Sequence, residues 1–411
     1  MFKRVPGTKD ILPDETTSWQ SIETIARNIF SLYNYQEIRT PIFEEAGLFN
    51  RTLGENTEIV QKQMFLIHNQ EDTYALRPEG TAAIVRSYLE NSLDKTSGFI
   101  KLFYIGPMFR LERPQKGRLR QFHHIGCEII GSKDAALDVE VIALAEHLLK
   151  NAAIENFKIK INSLGCPKDK EKLVLELRAA LKNSLELCAD CQERVKRNVL
   201  RVLDCKNETC QKIVRELKLK TAHLCPECVE NFEEVKTGLN NLAIPFQVEP
   251  YLVRGLDYYN RTVFEITQAG LGSQDAIGAG GRYDNLIPEL GGPDLGGLGF
   301  AFGVERLLLA AKNIPANPGN NLVYLISLGP GAKSAGSKIL DSLRKNGISG
   351  DTDYLNRSLK GAMRAANDAR AKYVLILGDD ELKKNVITLK DMSSGTQKEL
   401  LLENLIKELK C

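Results

Sequence analysis

The sequence predicts an α+β fold, in which helices flank an antiparallel sheet, with a helical insertion and a C-terminal α/β domain. Three observations predict it. Short strand-like runs separated by turn residues crowd residues 58–131 and return over 246–303, which favours antiparallel pairing over a repeating βαβ pattern. Residues 167–240 carry Lys/Glu alternation and few strand signals, which is typical of helices. Residues 322–411 alternate between strand and helix patterns.

Helical spacing of apolar residues predicts a helix over 14–34 and another over 134–150. Between them, residues 37–43 have strand character but contain Pro41, so we expect an edge or interface strand there. A Pro- and Asn-rich stretch at 313–321 is the predicted linker. The predicted domains are a core in two parts (1–166 and 241–313), an insertion (167–240) and a C-terminal domain (322–411).

The composition excludes several classes of protein. The 411 residues carry 55 Lys and Arg against 53 Asp and Glu, which excludes a polycation or an acidic disordered chain. No apolar run approaches the about 20 residues that span a bilayer. The segment MFKRVPGTKDILP lacks the apolar stretch of a secretory signal, so we expect a cytoplasmic protein with no membrane partner, whose nine cysteines are reduced.

The densest group of polar side chains falls in a predicted hairpin at residues 103–131. Guanidinium groups on such a loop match phosphate oxygens in a bidentate manner, whereas the alternative is a solvated, charged hairpin tip. On the return strand His124 and Glu128 share one face because side chains alternate. The polar residues at the end of the first strand and in the loop are Arg110, Glu112, Arg113, Gln115 and Arg118.

Two further segments carry polar residues that suit ligand binding. Residues 252–265 contain Arg254, Tyr258 and Tyr259, which predicts either a polar pocket for a small zwitterion or a structural ion-pair cluster. Residues 297–310 end a small-residue strand at Gly303 and place Arg306 in the first turn of a helix, where anions are favoured.

A fourth segment, residues 74–87, places Glu79, Gly80 and Thr81 between a strand and a helix. Glu79 could receive an ammonium group and Thr81 could donate to a ligand, although both could equally serve as a helix cap. No P-loop or dinucleotide-binding glycine motif occurs in the chain. The four segments together therefore indicate an anionic nucleotide bound on an antiparallel sheet.

The chain resembles the bacterial histidyl-tRNA synthetases, which are class II aminoacyl-tRNA synthetases. Three class II signatures occur in order: the Pro41 strand, Phe109-Arg110-Leu111-Glu112, and Gly303-Val304-Glu305-Arg306. Two segments specific to the histidine family, LVRGLDYYNRTVFE and AGGRYDNL, are also present. The resemblance covers the chain from GTKDILP near its start to the C-terminal domain, and it implies a class II synthetase core.

The resemblance implies a histidine–tRNA ligase that uses ATP and Mg²⁺ to form histidyl-adenylate and then charges histidine tRNA. It implies a homodimer with the Pro41 strand at the interface, an insertion that embraces the acceptor stem, and a C-terminal domain that binds the anticodon. Arg110, Arg254 and Arg306 are implied as catalytic residues on the phosphates, and Arg110 also on the histidine carboxylate. Glu112 is implied to seat ATP.

The resemblance also implies how histidine and tRNA are bound. Glu128 and Tyr259 would read the imidazole, and Arg113 and Gln115 would face the tRNA acceptor end. His124 stands where the family usually has Gln, and if protonated it would repel the histidine ammonium. The implied histidine site comprises Glu79, Gly80, Thr81, Arg110, His124, Glu128, Arg254, Tyr258 and Tyr259.

Six of the cysteines fall between residues 188 and 228. Two CxxC pairs frame this segment, and such pairs are typical of zinc sites. The alternative is that reduced thiols pack a small helical domain as hydrophobic side chains. The resemblance does not generally imply a metal in this segment, so we expect none. If zinc binds, the candidate thiols are those of Cys188, Cys191, Cys225 and Cys228.

Three other functions compete with the ligase. One is a non-catalytic, synthetase-like regulatory subunit of ATP phosphoribosyltransferase, which typically lacks the C-terminal domain and parts of the arginine set. Another is an RNA-sensing module, and the third is a class II synthetase for proline or threonine. Retention of Arg110, Arg254, Arg306 and residues 322–411 argues against the first two, and the LVRGLDYY segment argues against the third.

Overall fold

The structure is a computed structural model that describes residues 2–55, 57–115, 117–219, 221–272, 275–311, 314 and 321–410. The chain divides into two compact units, Met1–Asn317 and Pro318–Cys411. The predicted linker 313–321 lies outside the described residues except for residues 314 and 321. The predicted bounds of the core and the insertion stay predictions, since both fall within the first unit.

An eight-stranded sheet forms the centre of the first unit, in the order β1-β5-β6-β11-β10-β9-β7-β8. Pairing is parallel at its two edges, β1 with β5 and β7 with β8, and antiparallel between. Strands β2, β4 and β3 form a separate sheet. The strands are β1 (Gln36–Glu37), β2 (Phe43–Glu45), β3 (Leu66–Asn69), β4 (Asp72–Leu76), β5 (Ile100–Phe109), β6 (Gln121–Ile130), β7 (Phe157–Ser163), β8 (Gln247–Val248), β9 (Asn260–Gln268), β10 (Ala276–Arg282) and β11 (Gly297–Gly303).

Helices cover both faces of the large sheet. The predicted apolar face of α1 is buried against one side of the sheet together with α5, and the other side packs on α2, α3 and the helices of residues 167–216. A π-helical turn spans Ile59–Gln63. The helices of this unit are α1 (Pro13–Leu32), α2 (Ala46–Leu53), α3 (Thr81–Glu90), α4 (Leu93–Thr96), α5 (Ala135–Asn151), α6 (Pro167–Leu181), α7 (Ala189–Arg197), α8 (Glu208–Glu216), α9 (Pro226–Asn241), α10 (Leu286–Glu289) and α11 (Val304–Ala310).

The predicted hairpin at 103–131 is formed by β5 and β6 and lies inside the large sheet. Ile125, Cys127 and Ile129 on β6 are buried in the apolar core, so His124 and Glu128 point to the opposite face. On β11, Gly303 is the partner of His124 and Gly299 is the partner of Glu128. The register thus places glycines beside the two polar side chains.

The strand predicted across Pro41 is wrong as a single element. It divides into β1, at the edge of the large sheet, and β2, which belongs to the three-stranded sheet. Proline lacks an N–H to donate and restricts the residue before it, so the chain leaves one sheet here and enters the other. The strand-like runs at 64–76 also belong to the smaller sheet, as β3 and β4.

The second unit is a five-stranded sheet of order β13-β12-β14-β15-β16 with helices packed against it. The sequence pattern of residues 399–410 predicts a helix, and this prediction is wrong at its start, because β16 extends to Leu401 and the helix begins only at Leu405. No helix in the described ranges is long and apolar enough to cross a membrane. The elements are β12 (Val323–Leu328), α12 (Pro330–Lys345), β13 (Gly350–Thr352), α13 (Leu359–Asp368), β14 (Tyr373–Gly378), α14 (Asp379–Lys384), β15 (Val386–Asp391), β16 (Gln397–Leu401) and α15 (Leu405–Lys410).

Candidate active site

A polar cavity of about 510 Å³ lies on the face of the large sheet that carries His124. Its walls come from the β5–β6 hairpin, the start of α3, the segment before β9, strands β10 and β11, and the start of α11. The four polar segments that the sequence singles out therefore meet at one place. The predicted residues that line the cavity are Glu79, Thr81, Arg110, Glu112, His124, Arg254, Tyr258, Tyr259 and Arg306.

Glu128 lies just behind this cavity and is almost fully buried. Its carboxylate accepts hydrogen bonds from the hydroxyl of Thr81 at 2.7 Å and the hydroxyl of Tyr283 at 2.6 Å. Burial raises the pKa of Glu128 to about 8, although both hydroxyl donors act in the lowering direction. An incoming N–H donor would therefore meet an acceptor that is already held in position.

Gly299 leaves the space that the Glu128 carboxylate occupies. A Cβ atom at position 299 would lie 1.8 Å from Oε2 of Glu128, far inside van der Waals contact. Gly80 plays a similar part at the start of α3, since a Cβ atom there would lie 2.6 Å from the Tyr104 ring. Close packing around Glu128 thus depends on glycine on two sides.

Glu79 is buried and caps α3, accepting hydrogen bonds from the backbone N–H groups of Thr81 at 2.7 Å and Ala82 at 3.0 Å. The Tyr258 hydroxyl approaches the same carboxylate at 3.4 Å, and the Tyr258 and Tyr259 rings lie 4.6 Å apart. Burial raises the pKa of Glu79, although the two N–H groups lower it. The capping and ligand-binding interpretations of Glu79 are compatible, because each carboxylate oxygen can accept more than one hydrogen bond.

Arg110 is anchored at the end of β5 by one edge of its guanidinium. Its Nε donates to the carbonyl of Pro78 at 2.9 Å, and the group lies over the Phe122 ring at 5.3 Å. Its Nη1 is 3.9 Å from Glu112, whose other oxygen is 3.3 Å from Arg118. Burial lowers the pKa of Arg110, although Glu112 and Glu79 oppose this.

Arg306, in the first turn of α11, is held by backbone carbonyls rather than by carboxylates. Its Nε donates to Gly117 at 3.1 Å and its Nη1 donates to Ala276. Burial and the neighbouring Arg118 lower its pKa. Among the described residues Arg306 makes no direct ion pair, so its positive charge is positioned without being neutralised there.

Arg254 donates from Nη1 to Glu265 at 2.7 Å, and its buried Nε has no hydrogen-bond partner among the described residues. His124 is similar, because its buried Nδ1 also lacks a partner there. Burial, and next to it the charge of Arg110, lower the pKa of His124 to about 3. His124 is therefore neutral near pH 7, and the repulsion expected from a protonated imidazole does not arise.

Sequence reasoning did not assign roles to Tyr283 or Glu305. Tyr283 lies in the AGGRYDNL segment and donates to Glu128, whereas Glu305 accepts hydrogen bonds from the backbone N–H and the ring Nδ1 of His123, both at 3.0 Å. The only signal was position in the sequence: Tyr283 directly follows the residues that form β10, and Glu305 precedes Arg306. Each contact joins segments far apart in sequence, so spacing alone could not reveal it.

The remaining predicted residues lie at or outside the edges of the cavity. Gly80 precedes α3, next to Thr81. Arg113 and Gln115 are exposed on the hairpin loop, where the backbone of Gln115 pairs with Arg118. They are therefore accessible from solvent rather than part of the cavity wall.

The structure corrects the predicted set of zinc ligands. Cys188 and Cys191 group with Cys205 and Cys210, while Cys225 and Cys228 group with Cys166 and Asp169; within each group the candidate ligand atoms all lie within 4.8 Å of one another. The predicted set of two CxxC pairs is thus divided between two clusters. The reason is the fold, because Cys225 begins α9, whereas Cys188 begins α7.

The mixed sheet, the Arg110 hairpin and the α11 arginine define a class II aminoacyl-tRNA synthetase core, followed by a C-terminal α/β domain. The structure of apo histidyl-tRNA synthetase from S. aureus has the same fold, with a TM-score of 0.83, 36% sequence identity and coverage of 100% of both chains. A structure titled ATP phosphoribosyltransferase regulatory subunit/histidyl-tRNA synthetase, from Bacillus halodurans, is similar in fold alone, at a TM-score of 0.65 and 23% identity over 92% of this chain and 98% of that one.

A family model described as histidyl-tRNA synthetase matches residues 7–307, and one described as an anticodon binding domain matches residues 322–411. A histidine–tRNA ligase from Halothermothrix orenii is 46% identical over 98% of this chain and 97% of its own length. One from Moorella thermoacetica is 46% identical over 99% and 97%. The chain belongs to the histidyl-tRNA synthetase family. The regulatory-subunit alternative is less well supported, since its similarity is confined to the fold.

Proposed function

We propose that the cavity activates L-histidine with ATP, releases pyrophosphate, and then transfers histidine from the adenylate to the 3′ end of histidine tRNA. The observation that carries this proposal is the meeting of Arg110, Arg254 and Arg306 with the Glu128 group around one cavity. The arginines suit an anionic nucleotide, and the buried acceptor suits a ring N–H. Membership of the family supplies the substrates, ATP, histidine and tRNA.

Histidine is recognised by hydrogen bonds at both of its ends. Glu128 accepts a ring N–H of the imidazole, with Tyr259 completing the ring site and Tyr258 beside it. Glu79 and Thr81 bind the α-amino group, helped by the negative charge that Glu79 carries when ionised. A site that hydrogen-bonds a polar ring rejects apolar analogues by about 10⁴ to 10⁵, because its buried groups would be left unpaired.

Adenylation is an in-line attack of the histidine carboxylate on the α-phosphorus of ATP, with pyrophosphate leaving. A carboxylate has no proton to lose, so the reaction needs no general base. Arg110 joins the carboxylate to the α-phosphate, Arg254 is a fixed cation at the same phosphate, and Arg306 holds the γ-phosphate. The protein accelerates this reaction by positioning the reactants and stabilising charge, and these anchored guanidinium groups supply both.

Mg²⁺ is the metal ion we propose for this step. The Glu112 carboxylate suits this ion, because it lines the cavity and its ion pairs with described residues are long, 3.3 Å to Arg118 and 3.9 Å to Arg110. Glu112 would hold the ion together with the ATP phosphates, whose negative charge the ion would reduce. Glu305 is less suited, since His123 already occupies its carboxylate.

We assign the acceptor end of tRNA to the exposed Arg113 and Gln115, and the acceptor stem to the insertion at 167–240. We assign anticodon binding to residues 322–411, which carry 15 Lys and Arg against 11 Asp and Glu. This excess of positive charge favours an RNA partner. Arg113 and Gln115 are exposed to solvent, which contact with a polymeric substrate requires.

We also propose a cytoplasmic homodimer whose interface includes the segment around Pro41. Ile42 and Phe43 follow this proline and are 45% and 51% exposed, which is unusual for large apolar side chains side by side. Sedimentation of the purified chain tests the assembly. A monomer at micromolar concentration would contradict it, and Phe43→Ser should shift a dimer toward monomer.

The test of function is histidine-dependent exchange of pyrophosphate into ATP, followed by charging of histidine tRNA. We expect exchange with histidine but not with proline or threonine, and charging of histidine tRNA alone. An RNA-binding module or a regulatory subunit would bind ligands without exchange. Exchange that depends on another amino acid would assign the chain to a different class II synthetase.

A further inference from the structure

Four cysteine sulfur atoms meet inside the helical region between α6 and α9. Cys188 precedes α7, Cys191 lies in its first turn, Cys205 follows a 3₁₀ turn, and Cys210 lies in α8. Cys191 and Cys210 are fully buried and Cys205 is nearly so. Three successive elements therefore converge on one cluster of thiols.

The geometry of this cluster approaches that of a tetrahedral thiolate site. All four sulfur atoms lie within 4.8 Å of one another, and those of Cys188 and Cys205 are 3.9 Å apart. Four thiolates bound at about 2.3 Å to a tetrahedral zinc ion are about 3.8 Å apart. A disulfide requires about 2.05 Å, and all eight cysteines among the described residues are free.

Backbone N–H groups also point at the sulfur atoms. The N–H of Cys188 donates to Cys210 at 3.2 Å, and the N–H of Asn207 donates to Cys205 at 3.4 Å. Such donors stabilise thiolates and orient metal ligands. Cysteines that serve only as small hydrophobic side chains would have no reason to bring all four sulfur atoms together.

The second cluster differs in its chemistry. Asp169 accepts backbone N–H groups from Cys166 at 3.3 Å and from Cys225 at 3.0 Å, so its two oxygens cap the starts of α6 and α9. Structural zinc sites are built mainly from cysteine and histidine rather than from three cysteines and an aspartate. This cluster therefore has a sufficient structural explanation without a metal, and it supplies an internal control.

We propose that Cys188, Cys191, Cys205 and Cys210 bind one structural Zn²⁺ that fixes the segment 191–206 against the active site. The thiols bind as thiolates, so each ligand gives its proton to solvent and no redox change occurs. The ion closes a chain of ligands contributed by α7, the 3₁₀ turn and α8. This proposal does not depend on the identity of the reaction in the cavity.

The segment between the second and third ligands contacts the catalytic core directly. Arg194 pairs with Glu58 at 2.6 Å, and Asn198 donates to Asp257 at 2.8 Å, next to the Tyr258 and Tyr259 pair. Arg201 and Lys206 line the active-site cavity itself. A metal that holds both ends of this segment would therefore fix one wall of the cavity.

The first experiment measures metal in the full-length chain purified from zinc-supplemented medium. We expect about one zinc per chain, lost in Cys191→Ser/Cys210→Ser and kept in the matched variant Cys225→Ser/Cys228→Ser. Less than about half an equivalent in the parent chain would overturn the proposal. Zinc that is lost only with Cys225 and Cys228 would overturn it as well.

X-ray absorption of the zinc-loaded parent chain keeps the test valid if the variants do not fold. We expect a shell of four sulfur atoms at about 2.3 Å. A mixed sulfur and oxygen shell would place the ion at the Asp169 cluster and contradict the assignment.

Hydrogen exchange before and after chelation tests the positioning role, with faster exchange expected across 191–206 and little change in β5 and β6. Unchanged exchange in 191–206 would refute that role.

Discussion

Two groups of buried charges in the first unit differ in how completely the protein satisfies them. Arg282 is fully buried, and its Nε donates to Asp138, its Nη1 to Asp284 and the carbonyl of Ser132, and its Nη2 to the carbonyl of Asp134. In the active-site cavity, by contrast, Arg254 and His124 each keep a buried nitrogen with no partner among the described residues.

The difference separates a structural charge from one available to a ligand. Desolvating a charge is costly, so a buried guanidinium is tolerated when every donor finds an acceptor. Arg282 meets this condition, although it lies in AGGRYDNL, one of the two segments specific to the histidine family. The incomplete hydrogen bonding in the cavity indicates instead where substrate oxygens and nitrogens would complete the network.

The largest effect should come from breaking the satisfied group. Arg282→Met leaves Asp138 buried without its cation and leaves Asp284 with only Arg261 at 3.5 Å, so we expect the free energy of unfolding to fall by about 3–5 kcal/mol. Denaturant unfolding measures this loss. The matched variant Lys196→Met removes a cation that is 70% exposed, paired with Glu193 that is 58% exposed, and should change stability by less than about 1 kcal/mol. Equal effects would show that Arg282 is not structural.

Glu128→Gln should impair function rather than folding. It replaces one of the two carboxylate oxygens, which accept from Thr81 and Tyr283 and are proposed to accept from the imidazole, with an NH₂ group that can only donate. We expect histidine-dependent exchange to fall by about 10- to 100-fold through a raised KM for histidine, with the KM for ATP little changed. An unchanged KM for histidine would contradict the role of Glu128. The matched control is Glu140→Gln, which makes the same substitution at the residue that pairs with Lys101.

Arg113→Ala tests whether the function of the cavity extends to the exposed loop. Arg113 is accessible and lies outside the cavity wall, so we expect tRNA charging to fall by about 10-fold, the worth of one charged hydrogen bond, and pyrophosphate exchange to stay constant. Lys150→Ala is the control for loss of a surface charge. A parallel fall in exchange would place Arg113 in adenylation and sharpen the limits of the site.

His124→Gln should have the smallest effect, because the neutral imidazole and an amide both offer a donor and an acceptor. We expect exchange within about threefold of the parent at pH 7.5.

The stability of the folded protein in acid should differ more between the parent and His124→Gln. The folded pKa of His124 is about 3 against an ordinary 6.5, so the unfolded chain takes up a proton first as the pH falls. The parent therefore loses stability between pH 6.5 and 3 in a way that the variant does not.

Thermal unfolding across this pH range measures the difference, with His68→Gln as the control because His68 is exposed on β3. Parallel pH profiles for the parent and His124→Gln would show that His124 is not titrating as described. The same curves would also show whether the His124 Nδ1 atom, which has no hydrogen-bond partner among the described residues, costs stability at neutral pH.

Local periodicity was enough to predict the β5–β6 hairpin, because alternation of buried and polar residues fixes which side chains face the cavity. It was also enough for α1 and α5, whose apolar faces recur at helical spacing. It failed where a single residue redirects the chain: Pro41 divides a strand between two sheets. It failed again near the C-terminus, where β16 pairs with β15 at positions that favour a helix locally.

In the candidate active site, too, local sequence patterns could be interpreted, whereas long-range contacts could not. Residues that carry their own local signal, such as Arg110 in its hairpin or Arg306 in its helix turn, could be singled out from the sequence. The partners of Glu128 could not, since Thr81 and Tyr283 lie 47 and 155 positions away. The cysteines show the limit most clearly, because CxxC spacing indicates a metal site but only the fold decides which pairs meet.

The close approach of Gly299 to Glu128 constrains how this lineage can change. Any side chain at position 299 would collide with the carboxylate, so replacement there is blocked while Glu128 remains. Shortening residue 128 would not open this position, because a Cβ atom at 299 would still lie 2.4 Å from the backbone oxygen of Cys127. Glycine at 299 is therefore required by the backbone of β6 as well as by the Glu128 carboxylate, so a change of side chain at position 128 cannot be offset by a larger residue at 299.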